Sequence, residues 1–341
     1  MNTKFKILAL SASVFAGLAA TPAHAFVYGE SRLIINSLAL TFSPAAGSTV
    51  TNFQFTTTNT AALNNNIVAT TASCYGVPGA PGPSTNNCNP SNPRLNPAAA
   101  NAPGGSPAAN RTSLDFGFKG PLGGLQFSNS ASSIDRAEFT LDGPSFTRQI
   151  AESELQSGTS ASASGLIQST TGFMFTFTLM APGSLSLNFS ANPDQYTQIS
   201  ELLNGAFSAQ STLSTSFTLQ QSGGNQFATW APRGNAANDC IAVNGLACTE
   251  TSDSQNLNAT VGTTANNTFQ QLSHDGDAVF TPFGIVISGL GAGTYTLTLA
   301  TNTATQLSAL AIPEPGTMTL LSTGLAAVGL RAKRRQKKQA A

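Results

Sequence analysis

Residues 172–180 read GFMFTFTLM. Phe173, Phe175, Phe177 and Leu179 alternate there with Met174, Thr176 and Thr178. Period-two alternation places the four large apolar side chains on one face of a pleated strand and the threonines on the other. The same grammar returns at 184–190 with Leu185, Leu187 and Phe189, and at 212–220 with Leu213, Thr215, Phe217 and Leu219. It returns again at 294–299 with Tyr295, Leu297 and Leu299. Weaker runs predict strands at 32–42, 51–57, 113–118, 138–141, 226–230 and 282–288. Residues 195–207 carry Tyr196, Ile199, Leu202 and Leu203, which fits a short helix or an edge strand. Gly, Pro, Asn and Ser clusters separate the runs. Pro182-Gly183 and 289–293 read as tight turns between consecutive strands, the second a hairpin. The Gly-rich 289–293 leads into a Thr-rich strand instead of a helix, so it fails as a dinucleotide loop. The fold class that follows is all-β: a β-sandwich of jelly-roll type.

Two stretches interrupt the pattern. Residues 74–107 are dominated by Pro and Gly and predict a long surface loop, since so few large apolar side chains cannot bury a core. Residues 157–164 form a short low-complexity run of Ser, Ala, Gly and Thr.

Outside the β-rich middle the chain changes character. Lys4 and Lys6 precede an apolar run, and Ala23-His24-Ala25 offers a small-x-small cleavage site before Phe26. This is the layout of a secretory signal peptide over residues 1–25, with cleavage between Ala25 and Phe26. It implies the Sec translocon and signal peptidase as partners. The apolar run is shorter than the roughly 20 residues a membrane span needs.

Whole-chain charge conceals the character of the middle. The chain holds 15 basic and 15 acidic residues. Two lysines belong to the leader and six basic residues to the last stretch, which leaves seven from Phe26 to Ile312 against 14 acids, a net charge of −7. Lys119 is the single lysine there. A nucleic-acid partner demands a basic footprint, so that class is excluded. Charged residues make up 9% of the chain, where about 25% is usual. Ser, Thr, Asn and Gln carry the polarity instead, which suits a hydrated surface or matrix setting.

Cys74, Cys88, Cys240 and Cys248 all follow the leader, and in an oxidising compartment they predict two disulfides. Three pairings are open; the local one, Cys74–Cys88 with Cys240–Cys248, is favoured because each pair brackets a loop. A zinc site is a poor fit, with no Cys-x-x-Cys and a single histidine, His274, in the middle.

Catalytic signatures are thin. Triad chemistry needs a base beside its nucleophile, and His274 reads as a turn residue with no Gly-x-Ser-x-Gly elbow anywhere. Paired carboxylates for glycoside hydrolysis have candidates in Glu152, Glu154, Asp194 and Glu201. The expectation is a non-catalytic protein without a cofactor. Asp275 and Asp277 flank Gly276 as weak calcium candidates, and Asp239, Glu250 and Asp253 flank the second cysteine pair, but two carboxylates on a turn fall short of six to eight oxygens. Trp230, the one tryptophan, is read as a core or rim aromatic; the competing reading makes it a stacking platform in a carbohydrate-binding module.

The C-terminal constellation has three parts. Pro313, Glu314 and Pro315 come first, then an uncharged, mostly apolar run at 316–330. Arg331, Lys333, Arg334, Arg335, Lys337 and Lys338 follow. The prolines resist helix or strand and keep the approach extended. The apolar run enters the bilayer as a single transmembrane helix, and the basic cluster stops transfer and stays cytoplasmic. Fifteen residues give about 22 Å of helix against a hydrocarbon core of about 30 Å, which suits a transient anchor. With the signal peptide, this places residues 26–311 beyond the inner membrane as one ectodomain and makes 312–338 a sorting segment.

This tripartite tail resembles the PEP-CTERM sorting signal, with Pro313, Glu314 and Pro315 matching its motif residue by residue. The resemblance implies exosortase as processing partner, transient residence in the inner membrane of a Gram-negative-type cell, and delivery to the surface or exterior. It also implies a role in an exopolysaccharide-rich matrix or biofilm. Residues 152–165 followed by Phe173–Leu179 are similar to the core called the EDSAxxA type, although the literal Glu-Asp-Ser-Ala is absent.

Overall fold

The computed structural model describes residues 26–44, 47–76, 88–89, 92–95, 97–123, 125–136, 145–156, 161–200, 205–234, 239–265, 267–273 and 279–311. The leader 1–25, the sorting segment from 312 onward and the strand expected at 138–141 lie outside these residues.

The described residues are almost entirely strand. In chain order these are β1 (Phe26–Ser43), β2 (Ser48–Leu63), β3 (Asn66–Gly76), β4 (Cys88–Asn89), β5 (Asn92–Leu95), β6 (Ala100–Asn101), β7 (Phe127–Arg136), β8 (Ser145–Gln156) and β9 (Ala161–Leu179). There follow β10 (Gly183–Ile199), β11 (Gly205–Gln221), β12 (Phe227–Trp230), β13 (Cys240–Val243), β14 (Ala247–Asp253), β15 (Thr260–Thr263), β16 (Thr268–Leu272), β17 (Thr281–Leu290) and β18 (Gly293–Ala311). One 3-10 turn, Pro107–Ala109, is the sole helical element among the described residues. A ten-stranded sheet runs β14-β17-β10-β1-β8-β7-β5-β4, with β16 also on β10 and β6 also on β7. An eight-stranded sheet runs β13-β12-β11-β18-β9-β2-β3, with β15 also on β11. The pairings between these strands are antiparallel.

The alternating runs form the strands expected of them, and their apolar faces meet between the two sheets. Leu33 and Ile35 of β1, Leu187 and Phe189 of β10 and Ile285 of β17 face Phe55, Phe173, Phe217 and Leu297 from the opposite sheet in one buried cluster. Aromatic edges and faces interlock there: Phe55 meets Phe173 edge-on at 5.1 Å, and Phe189 stacks on Phe283 at 5.0 Å. Trp230 lies in this cluster at 0% exposure, against Phe217 and Phe189.

A second inter-sheet cluster, with Val27, Leu155, Phe207 and Leu307, closes the other end. The region between the two clusters is polar. Thr171 and Thr301 bond hydroxyl to hydroxyl, Ser153 and Thr305 do so at 3.0 Å, and Ser31 donates to the Thr212 carbonyl at 2.9 Å. Ser153–Thr305 and Ser31–Thr212 link the two sheets while Thr171–Thr301 lies within one, and the Thr-rich composition is not confined to the wet faces as the alternation implied. These buried hydroxyls find partners, whereas those of Thr57, Thr147, Thr215 and Thr303 have none among the described residues.

Four expectations are corrected. Residues 195–199 are neither helix nor edge: they extend β10, which has β1 on one side and β16 on the other. Residues 113–118 form no strand: they belong to a segment that covers the ten-stranded sheet and is held to it by side-chain contacts. Within 74–107, the described residues are not all surface loop: Leu95 and Ala100 are buried where β5 and β6 dock on β7. Pro182-Gly183 and 289–293 do connect consecutive strands, but not as hairpins. β9 and β10 lie in opposite sheets, as do β17 and β18, so both turns are corners that carry the chain across the sandwich. The corners pack on each other's strands, Gly183 opposite Leu290, and Gly289 takes a left-handed φ of +81° with no room for a Cβ beside the Gly245 carbonyl.

Cys240 and Cys248 form the expected local disulfide, with Cα atoms 5.9 Å apart, joining β13 to β14. It bridges the edges of the two sheets. Cys74 is also disulfide-bonded, and no cysteine is free among the described residues; the Cys88 side chain lies outside them.

Candidate functional site

The outer face of the ten-stranded sheet carries an unusual set of residues. On β1 the outward positions are Tyr28, Glu30 and Arg32; on β8 they are Glu152 and Glu154; on β10, Asp194 and Tyr196; on β7, Asn129. Most outward faces meet water, yet Tyr28, Glu30, Arg32, Glu152, Glu154 and Asp194 are all buried. The cover is the segment 97–123. It lies across the sheet as a strap, with Ala109 packed on Tyr28 and Phe127, and Phe116 on Ala131 and Ile150.

Charged groups pin this strap. Arg111 pairs with Glu152 through Nη2, donates from Nε to Asn129 Oδ1 at 2.6 Å, and from Nη1 to the carbonyls of Asp115 and Gly117 at 3.0 and 2.7 Å. Glu152 also accepts from the backbone N–H groups of Lys119 and Gly120 at 2.9 and 3.0 Å. Glu154 accepts from Leu122 N–H at 2.7 Å. Arg32 forms the second buried pair, with Asp194, and its guanidinium lies 4.0 Å over the Phe118 ring. A planar fork that serves one carboxylate and several carbonyls at once is work that lysine cannot do.

Where the strap ends, a cleft opens. The Tyr28 hydroxyl lies 2.5 Å from both Glu30 Oε2 and Glu152 Oε1. Burial first, then the neighbouring charges of Glu152 and Glu30, raise its pKa well above the usual tyrosine value, so it remains a neutral donor. The cleft, about 460 Å³, has Tyr28 and Glu30 on one side and Phe118 and Lys119 of the strap on another; Tyr196 and Phe269 complete the wall. Tyr196 and Phe269 stack, 6.0 Å between centroids at 22°. Lys119 is already ion-paired to Asp115 at 2.6 Å.

Of the acids singled out as a possible hydrolytic pair, Glu152, Glu154 and Asp194 do converge on one face. Each, however, is held by buried donors beneath the strap, and the carboxylate lining the cleft is Glu30. Glu201, His274, Asp275 and Asp277 lie outside the described residues. Sequence reading passed over Tyr28, Glu30, Arg32 and Arg111. The signal was present: a Tyr-x-Glu-x-Arg alternation inside an apolar strand puts three polar side chains on one face.

A second acidic group sits at the disulfide edge. Single carboxylate oxygens of Asp239, Glu250 and Asp253 lie within 4.8 Å of one another, the one such convergence among the described residues. Asp253 Oδ2 accepts from the Arg233 and Gly234 N–H groups at 3.1 and 3.0 Å. Three ligands, one already engaged, are too few for calcium. Burial, then repulsion from Asp253 and Asp239, raises the Glu250 pKa. A raised carboxyl pKa means the folded state binds the proton more tightly, so stability falls as pH climbs from the unfolded value through the folded one. Glu250→Gln is therefore expected to raise the melting temperature at pH 7 by about a degree or two and to make no difference at pH 3. Thermal scans at the two pH values check this; an equal effect at both excludes charge repulsion as the cause.

Trp230 cannot be a stacking platform, since the core encloses it. No helix among the described residues is long and apolar enough to cross a membrane; residues 316–330 lie outside them. At the family level, residues 311–335 match the model of the PEP-CTERM protein-sorting motif. No curated protein and no solved structure matches the chain. The chain thus carries a PEP-CTERM sorting signal, which implies export to the surface or exterior and exosortase as the processing partner.

Proposed function

We propose that this is a non-catalytic structural protein of the cell surface or extracellular matrix, exported by Sec and transiently anchored through residues 316–330. Exosortase then processes it near Pro313-Glu314-Pro315. The observation that carries the reading is the sorting motif at 311–335. The fold agrees with it. β18 pairs with β11 as far as Ala311, opposite Gly205, so the sandwich ends where the sorting segment begins. A cut at 313–315 would leave the ladder intact and free the whole ectodomain. Few charges, a disulfide at the sheet edges and hydroxyl-rich surfaces suit a hydrated, oxidising exterior. An exopolysaccharide matrix is the setting proposed for it. The same placement suits a carbohydrate-binding module, and the aromatic-walled cleft over Glu30 favours that second reading.

Intact mass spectrometry of the protein from membranes and medium, with and without exosortase, tests this. The expected result is a chain from Phe26 to 313–315 that appears only when exosortase is present. A membrane-bound chain that keeps residues 331–338 in both strains would leave the sorting reading without support.

A further inference from the structure

We propose that β3 is an assembly edge, across which a second copy of this chain pairs antiparallel about a two-fold axis through Thr71. The inference concerns the folded domain in any compartment and does not rest on the sorting reading.

Each sheet has two ends, and three of the four are blunted. β4 is 2 residues long and β13 is 4. β14 is 7 residues long, carries Glu250 and Asp253, and is tied to β13 by the Cys240–Cys248 disulfide. Short strands and charges are how native sheets avoid pairing edge to edge. β3 has neither. It runs 11 residues, NIVATTASCYG, with no proline and no charge.

The turn before β3 sets which of its groups are open. Asn64 and Asn65, at left-handed φ of 50° and 68°, close a two-residue hairpin in which Leu63 faces Asn66. That flanking pair exchanges both its N–H and C=O bonds, and the alternation then turns the even-numbered residues of β3 toward β2. The N–H and C=O groups of Ile67, Ala69, Thr71, Ser73 and Tyr75 point the other way, where no described residue pairs with them. Two of these residues are large, apolar and offered to solvent: Ile67 is 55% exposed and Tyr75 67%. They stand equidistant from Thr71, so an antiparallel copy centred there sets Ile67 against Tyr75 of the other chain at both ends. Ala69 then faces Ser73, Thr71 faces its own counterpart, and every outward backbone group is met. An aromatic beside a β-branched side chain is a favourable cross-strand pair, and each covers the other from water. Centring on Thr70 would instead set Tyr75 against the turn.

Charge selects the occupant. The span from Phe26 to Ile312 carries a net charge of −7, so two copies repel at most approaches. No strand of the eight-stranded sheet contains Asp, Glu, Lys or Arg; every charged strand residue belongs to the other sheet. β3 is the open end of that uncharged sheet. A charged partner would find no counter-charge along it, whereas a copy of the same neutral, self-matching strand meets no like charge.

Sedimentation velocity of the full chain, purified in mild detergent, is expected to show a reversible monomer–dimer equilibrium. Variants on the open edge test its cause. Thr71→Lys sets two like charges on the axis and should weaken dimerisation about tenfold, with the circular dichroism spectrum of the parent retained. Thr71→Cys places two thiols on facing residues with Cα atoms about 5.5 Å apart, within the range a disulfide spans, so mild copper–phenanthroline oxidation should give a covalent dimer. Ala69→Cys alone should give none, since its counterpart lies roughly 15 Å away, but mixed with Ser73→Cys it should cross-link. The parent chain under the same oxidation is the blank. A monomer at every concentration, whatever else binds the edge, overturns the proposal. So does a dimer that survives Thr71→Lys, as association through 316–330 in the micelle would, or a cross-link that forms in Ala69→Cys alone as readily as in Thr71→Cys.

Discussion

Arg111→Ala is expected to lower the melting temperature by about ten degrees, the largest effect of any single charged substitution in the domain. The guanidinium is fully enclosed and serves Glu152, Asn129 and the carbonyls of Asp115 and Gly117. Its removal leaves the Glu152 carboxylate buried beside the Tyr28 hydroxyl with two backbone N–H groups and no opposite charge. Breaking a buried pair from one side costs about 3–5 kcal/mol, because the stranded charge keeps its desolvation penalty. Arg111→Lys should rescue little, since one ammonium cannot span a carboxylate and three further acceptors. The double change Arg111→Met with Glu152→Leu should recover part of the loss. Recovery stays partial because the Lys119 and Gly120 N–H groups then lack their acceptor. Hydrogen exchange should show the loosening confined at first to 111–122. If Arg111→Ala melts within a degree of the parent, the strap is not held electrostatically.

How far the sequence reaches is visible in the same residues. Strands at 172–180, 184–190 and 294–299 could be read directly, because alternation is local and each run contains its own evidence. The Cys240–Cys248 bridge was legible for the same reason: the cysteines lie 8 residues apart. The strap was not. Arg32 and Asp194 are separated by 162 residues and Arg111 and Glu152 by 41, and no periodicity links them. Residues 113–118 look like a strand because Leu114, Phe116 and Phe118 alternate, yet Phe116 turns in on Ala131 and Ile150 while Leu114 stays exposed. The corners at Pro182 and Gly289 misled in another way. Turn chemistry announces where a chain reverses, but whether the next strand pairs with the last or crosses to the facing sheet depends on what else competes for the edge. Here β18 and β2 flank β9, and β1 and β17 flank β10, so neither corner can close a hairpin. The cleft was hidden because its wall and floor come from β1, β10, β16 and the strap. Trp230, the obvious sugar platform in the sequence, was drawn into the core by the apolar face it shares with Ala228.

Replacing Pro313-Glu314-Pro315 by three alanines is expected to abolish processing and leave the full chain in the membrane, tail included. The argument is geometric as well as chemical. β18 remains in its ladder to Ala311, so the motif begins two residues beyond a folded edge and can lie only about 7 Å from it when extended. Proline fixes φ and pushes the residue before it out of the helical region, which keeps this short connector extended on an enzyme's surface. Alanine does the reverse: it is the strongest helix former and lets the apolar run at 316–330 extend backward toward the sandwich. If the run at 316–330 crosses the membrane as proposed, such a helix would gain the length that fifteen residues lack and hold the chain more firmly. Two effects therefore act in one direction, loss of the recognised residues and loss of the extended connector. Glu314→Gln separates them, since it keeps both prolines and removes only the charge. If the Ala-Ala-Ala chain is still cut and released in amounts equal to the parent, residues 313–315 are not the processing site. If Glu314→Gln alone retains the tail, the carboxylate is what the enzyme reads. Fractionation followed by intact mass resolves the outcomes, because retained residues 331–338 identify the uncut chain.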